Sequence, residues 1–241
     1  MGDGAAFSYM VGSGETYVPA LALALGLGDV AAGLVATVPL LLGSLLQMIS
    51  PWAVRRIGSA RTWVVAAAIV QTLSLAGFAA IAWVGSSIGW WLFVAATLYW
   101  AGGLATGPVW NAWVEQLVPR SIRARFFAQR ARISHGCVLI GLAVGGLALR
   151  YGDAYLDTLL RFTLLLGGAA IARGISAACL ASQHEPESAW PKDSIPLRQA
   201  ATRLFTGPML RPLALLVAMQ AAVNVAGPSF TPYLISQLKM S

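Results

Sequence analysis

Long apolar runs separated by short polar turns make up most of this chain, and the runs do not alternate polar with apolar at every second position. A strand half-buried in a sheet repeats every two residues, so unbroken runs of this length predict helices. Seven are expected, over about 4–26, 29–49, 63–84, 89–114, 133–149, 156–181 and 210–234. The turns after the first, third and fifth are very short, whereas those after the second, fourth and sixth carry the basic residues. A helix crosses a bilayer core with roughly 20 residues rising 1.5 Å each. Only helices and closed barrels satisfy their backbone polar groups in lipid. The pattern therefore predicts an all-α, polytopic transmembrane helical bundle of about seven spans.

The same pattern divides the chain. Residues 1–182 hold six helices and predict one bundle. Residues 183–208 read as a cytoplasmic linker, with the proline-bearing and charged run HEPESAWPKDSIP followed by LRQAATRLF. Leu197, Ala201, Leu204 and Phe205 fall on one face of the latter, as in a short amphipathic helix on a membrane surface; an ordinary charged loop is the alternative. Residues 209–241 hold the seventh helix, expected to open an incomplete second bundle. A faint repeat supports that division: Tyr17 and Pro19 in the first helix can be laid over Phe230 and Pro232 in the seventh.

Composition sharpens the membrane reading. The chain is 58% hydrophobic and 10% charged, where a soluble domain carries roughly 25% charged residues. The net charge of +7 would suggest nucleic acid in a soluble protein. Here the arginines fall between apolar runs, so topology explains them and no nucleic-acid partner is expected. With the N-terminus inside, the inner segments hold twelve basic residues: Arg55, Arg56 and Arg61, then Arg120, Arg123, Arg125, Arg130 and Arg132, then Lys192, Arg198, Arg203 and Arg211. The outer segments hold Arg150 and Lys239. This bias predicts a cytoplasmic N-terminus in a cell inner (plasma) membrane. No basic n-region of a cleavable signal precedes the first helix, and its abrupt start suggests a trimmed N-terminus. Cys137 and Cys179 fall inside spans and read as small core residues. No HExxH, paired CxxC or phosphate loop occurs, so neither a metal, a cofactor nor an enzymatic activity is expected.

Polar residues inside apolar helices are the candidates for function, because an ionised group there costs several kcal/mol unless it faces a cavity or a partner. Glu15 leads. With Ser8, Gly12 and Pro19 it forms one small-polar stripe on the first helix, suited to a substrate or ion pathway. A later helix start, or a buried structural acid, is the alternative. Gln220 and Asn224 repeat the spacing on the seventh helix, as pathway residues or as polar contacts between helices. Trp110 and Asn111 on the fourth helix are pathway candidates too, set against an interfacial aromatic belt that would also hold Trp113. Arg161 is expected to snorkel to the outer surface. Arg173 is expected either to pair with an acid, Glu15 among them, or to reach headgroups, and Gln71 reads as structural. Gly103 with Gly107, and Gly141 with Gly145, have the spacing that lets helices approach closely. His135 and His184 read as surface residues.

Two stretches carry a family resemblance. The turn after the second helix reads SPWAVRRIGSAR, and the fourth helix runs out through GPVWNAWVEQLVPRSIRARFFAQRARI. Together with the helix plan, they resemble the major facilitator superfamily. Arg56, Gly58 and Arg61 match that family's signature for a cytoplasmic gate loop. Pro51 stands where glycine is usual and Arg55 where aspartate is usual. The resemblance implies two six-helix bundles rocking around a small solute, a truncated twelve-helix plan, and a missing C-terminal half or partner chain. The fourth helix lacks a membrane arginine and the fifth lacks Gly-Pro, so motifs do not support proton antiport. A non-transporting scaffold is the alternative, motivated by Arg55. An intramembrane serine protease using Ser86 or Ser87 with His135 is disfavoured, because nucleophile and base would lie at opposite faces of the membrane.

Overall fold

A computed structural model describes residues 1–85, 89–151, 156–185, 202, 208 and 210–222. The chain falls into two compact units, Met1–Trp190 and Pro191–Ser241. In the first, α1 (Gly2–Ser13), a 3-10 turn at Glu15–Tyr17 and α2 (Val18–Ala24) lead into α3 (Gly28–Leu46). A second 3-10 turn, Gln47–Ile49, joins α3 to α4 (Ser50–Ile57). Four long helices follow: α5 (Ala60–Val84), α6 (Gly89–Leu117), α7 (Arg120–Tyr151) and α8 (Thr158–Ala181). The second unit contributes α9 (Leu210–Ala222). The protein is all-α among the described residues, and five of its helices are long and apolar enough to cross a membrane: the Val30–Ile57 run and α5 to α8.

Three boundaries differ from the sequence expectation, each for a local reason. The first run is not one helix. Pro19 lacks an N–H and so sits at the start of α2, where none is needed, after a break at Gly14 and Glu15–Tyr17. The second run does not stop at Pro51, because a 3-10 turn resets the helix and Pro51 occupies the first turn of α4. The basic stretch after the fourth run is not a loop. Pro119 immediately precedes α7, and the arginines, good helix formers, extend α7 to 32 residues. At 1.5 Å per residue α7 is about 48 Å long, well over a roughly 30 Å hydrocarbon core, long enough to cross one with its basic end to spare. In the second unit only α9 is described, and the amphipathic helix expected over LRQAATRLF lies outside the described residues, Thr202 aside.

Within the first unit α1 packs on α7 and α8, α5 on α6 and α8, α3 on α6, and α2 on α3. One apolar cluster is built on Met10, Leu21, Leu75, Phe78, Tyr99 and Leu166. A second, at the arginine-rich end, is built on Val54, Val64, Val109, Trp113 and Leu180. Large apolar side chains also cover the outside, Leu41, Leu73, Trp83, Leu139 and Ile171 among them. Apolar surface of that extent is rarely left open to water and suits a lipid solvent.

Glycine sets the closest crossings. A Cβ on Gly141 would stand 2.5 Å from the Tyr9 carbonyl oxygen and 2.8 Å from the Ser13 amide nitrogen, and one on Gly12 would collide with the Val138 carbonyl. One turn on, Gly145 lies under the Tyr17 ring, whose hydroxyl donates to the Leu142 carbonyl at 2.7 Å. The Gly141–Gly145 spacing therefore packs α7 against α1 as expected. The Gly103–Gly107 spacing does not act as a pair. Gly102 makes the backbone approach to α5, 2.6 Å from Cβ to the Ala67 carbonyl, while Gly107 meets nothing within 4 Å.

The chain after α8 returns to the α4–α5 turn. Gly58 closes α4 in the left-handed conformation at φ 75°, and Ser59 caps α5 by accepting from the Thr62 amide at 3.0 Å. The Glu185 carboxylate accepts from the Ser59 hydroxyl at 2.6 Å and from the amides of Ala60 at 2.5 Å and Arg61 at 3.2 Å. An anion is thus set on the open N–H groups and positive dipole end of α5. Glu185→Ala is expected to lower stability by about 1–2 kcal/mol, the loss typical of a cap that also carries charge. Thermal unfolding in detergent checks it; a midpoint equal to the parent's would refute the capping role.

Candidate functional site

A cavity of about 210 Å³ lies between α1, α6, α7 and α8 towards the arginine-rich end. That is the room of a small solute rather than of a drug-sized ligand. α1 contributes Asp3 and Phe7, and α7 contributes Arg130. α6 contributes Gly103, Thr106, Gly107 and Trp110, one face of the helix at three- and four-residue steps. α8 contributes Arg173, Ser176 and Leu180 at the same steps. Bare Gly107, whose Cβ would meet nothing, is what opens the α6 wall.

Two arginines stand in this cavity in different states. Arg130 makes a forked contact with Asp3, its Nη1 lying 3.1 Å and 3.0 Å from the two carboxylate oxygens. Its guanidinium also lies 4.1 Å from the centre of the Trp110 ring, a cation–π distance. The Met1 amino group stands 3.4 Å from the same Asp3 carboxylate. Arg173 is 1% exposed. It donates from Nε to Gln71 Oε1 at 2.7 Å and from Nη1 to Ser176 Oγ at 2.8 Å, and it lies 5.0 Å from the Phe7 ring centre. Both oxygen partners are neutral. Among the described residues no carboxylate lies within ion-pair distance of Arg173. The side chains lining the cavity therefore carry two positive charges and one negative.

Glu15 stands apart, in a smaller cavity of about 50 Å³ shared with Pro19, Val35, Phe78, Tyr99 and Trp100. Its carboxylate accepts from the buried Tyr99 hydroxyl at 2.5 Å, and the Met10 sulfur lies 3.2 Å from that hydroxyl. The stripe of Ser8, Gly12, Glu15 and Pro19 does not face one cavity. The 3-10 turn rotates the chain, so that Gly12 packs on α7 while Glu15 and Pro19 line the pocket with α6.

The other expected residues scatter. Trp110 lines the larger cavity. Asn111, one residue on, is exposed. Trp113 is no interfacial belt residue: it is buried, and its ring N–H donates to the His184 carbonyl at 3.2 Å. Arg56 stacks on Trp52 at 5.2 Å, Gly58 is the α4 cap, and Arg61 reaches the Gln183 carbonyl at 3.4 Å. Those three form one surface turn at the arginine-rich end, apart from the cavity. Arg161 does not snorkel: it is 7% exposed and donates to the Leu149 carbonyl and, at 2.9 Å, to the Thr158 hydroxyl. Gln220 is exposed on α9. Asn224, Ser86 and Ser87 lie outside the described residues.

Asp3, Phe7, Thr106 and Ser176 went unnoticed in sequence, and Arg130 counted only towards topology. Asp3 sits at the very start of an apolar run, where an acid reads as a helix-end residue. The one available signal was spacing: Gly103, Thr106, Gly107 and Trp110 repeat on one face of α6, as Arg173, Ser176 and Leu180 do on α8. No family model, curated protein or solved structure matches this chain.

Proposed function

We propose that this chain is a secondary transporter, similar in plan to the major facilitator superfamily, that moves a small solute across a membrane by alternating access. The observation that carries the reading is the charged, solute-sized cavity between α1 and three helices of membrane-spanning length, α6, α7 and α8. Ionised residues within an apolar bundle are costly and are retained where they serve a solute or ion path. Helices packed through glycine slide and rock with little steric resistance, as alternating access requires. The N-terminus is assigned to the cytoplasmic side of a plasma membrane by the arginine bias. The Glu185 contact then belongs to the inner gate, where a carboxylate from beyond α8 meets the turn that follows α4, the helix in which Arg55 replaces the usual acid.

The test is uptake into proteoliposomes of radiolabelled monocarboxylates, amino acids, monosaccharides and inorganic cations. Saturable uptake of one class is expected. Glu15→Gln, which keeps the shape and removes the charge held by Tyr99, is expected to cut that flux by about ten-fold or more. Absence of saturable uptake of every class by well-folded protein would overturn the transporter reading in favour of a membrane scaffold.

A further inference from the structure

We propose that the cavity between α1, α6, α7 and α8 binds a small organic monoanion, a carboxylate with an apolar or aromatic body, through Arg173. This deepens the transporter reading by naming its substrate class, and it rests on that reading only for turnover. Charge comes first. Asp3 neutralises Arg130, leaving Arg173 as the surplus cation of the cavity lining. A guanidinium at 1% exposure has lost its hydration, and its partners Gln71 and Ser176 supply no counter-charge. Leaving a buried charge unpaired is unfavourable, so a bound anion stabilises the site in proportion to that loss.

Donor geometry comes second. Arginine has five N–H donors in a planar fork that fits a carboxylate, and the two neutral contacts occupy only Nε and Nη1. Ser176 already accepts from Arg173, so its own hydroxyl hydrogen is available to a second acceptor. Thr106 donates to the Gly102 carbonyl at 2.8 Å and retains lone pairs only. Shape comes third. Phe7, Trp110 and Leu180 give the remaining walls an apolar, partly aromatic surface. A single surplus charge and about 210 Å³ select a compact monoanion over nucleotides or polyphosphates. A cation would meet two guanidiniums and one carboxylate that is already paired.

The experiment is equilibrium binding to the purified full chain in nanodiscs of neutral phosphatidylcholine. Acetate, butyrate and benzoate are the probes and benzamide is the uncharged control, read by calorimetry and tryptophan fluorescence. Benzoate is expected to saturate the site and benzamide to bind about ten-fold more weakly or worse. Arg173→Gln is expected to weaken benzoate on the order of 30-fold or more, with Arg173→Lys in between. Because Arg173→Gln could also disturb folding, Gly107→Leu provides a second variant. A Cβ there meets nothing within 4 Å and position 107 makes no contact with Arg173, so the leucine is expected to fill the cavity and abolish benzoate binding without lowering the unfolding midpoint. Equal binding of benzoate and benzamide, or no binding of any of the three carboxylates, overturns the proposal. So does benzoate binding that survives both variants, or its displacement by phosphatidylglycerol nanodiscs, which would assign the site to a lipid headgroup. Carboxylate binding without flux rejects the transporter reading alone, and flux of an uncharged solute without carboxylate binding rejects this inference alone.

Discussion

Asp3→Ala is expected to destabilise the chain by about 3 kcal/mol, the low end of the cost of breaking a buried ion pair. The carboxylate is 4% exposed and meets Arg130 through both oxygens. Without it, Arg130 and Arg173 would line one cavity with no carboxylate among the residues that line it. The loss falls at the low end because the Arg130 side chain keeps 17% of its exposure and can turn partly towards solvent. Gly4 leaves the guanidinium its place beside α1: a Cβ there would stand 2.6 Å from it. The double replacement Asp3→Leu with Arg130→Leu should recover most of the loss, since exchanging a buried pair for packed apolar groups is often neutral. Thermal and denaturant unfolding of the two single variants and the double variant measures the coupling. Additive effects would show that the pair does not interact in the folded protein.

The helical architecture was legible in the sequence because lipid-spanning helices advertise themselves by length and apolarity, and α5, α6 and α8 end within a few residues of expectation. What escaped was set by features that hydropathy averages away. Pro51 read as a terminator and Pro19 as a residue inside one continuous helix, yet each stands in the first turn of a helix and starts one. Arg120 to Arg132 read as loop because charge dominated the window, although nothing in that stretch breaks a helix. The site was half legible. Trp110 and Arg173 were singled out as polar or aromatic residues in unfavourable surroundings, but their company depends on which helices are neighbours, and no single-sequence period encodes that. Glu15 was one of two expected destinations for Arg173, the other being the headgroups. In the fold each takes a neutral partner instead, Tyr99 and Gln71, because the 3-10 turn after α1 carries Glu15 towards α6. Gly141 with Gly145 succeeded as a sequence signal and Gly103 with Gly107 failed, though the spacing is identical. The difference lies in what stands opposite: the α1 backbone in one case, and at Gly107 an open cavity in the other.

That contrast yields the second large effect, in which two glycines of one spacing class respond to substitution with opposite sign. Gly141→Leu is expected to cost about 3 kcal/mol or more, beyond the usual penalty for overpacking. The atoms its Cβ would meet are the Tyr9 carbonyl and the Ser13 amide, both backbone, so no rotamer change relieves the clash and α1 must move off α7. The Tyr17 hydroxyl bond to Leu142 and the ring contact over Gly145 would loosen with it. Gly136→Ala on the same helix and Gly107→Ala on α6 meet nothing within 4 Å. Each should gain up to about 1 kcal/mol, from the better helix propensity of alanine and the smaller entropy of its unfolded chain. Unfolding midpoints of the three variants in one detergent decide the matter: equal shifts would mean that α1 does not cross α7 at Gly141. The link to function follows from the same geometry. Asp3 and Phe7 reach the cavity from α1, so a displaced α1 opens the wall beside Arg173 while leaving the arginine, Gln71 and Ser176 in place on α5 and α8. Folded Gly141→Leu protein should therefore bind benzoate more weakly than its parent while still preferring it to benzamide, because shape is lost there and charge is not.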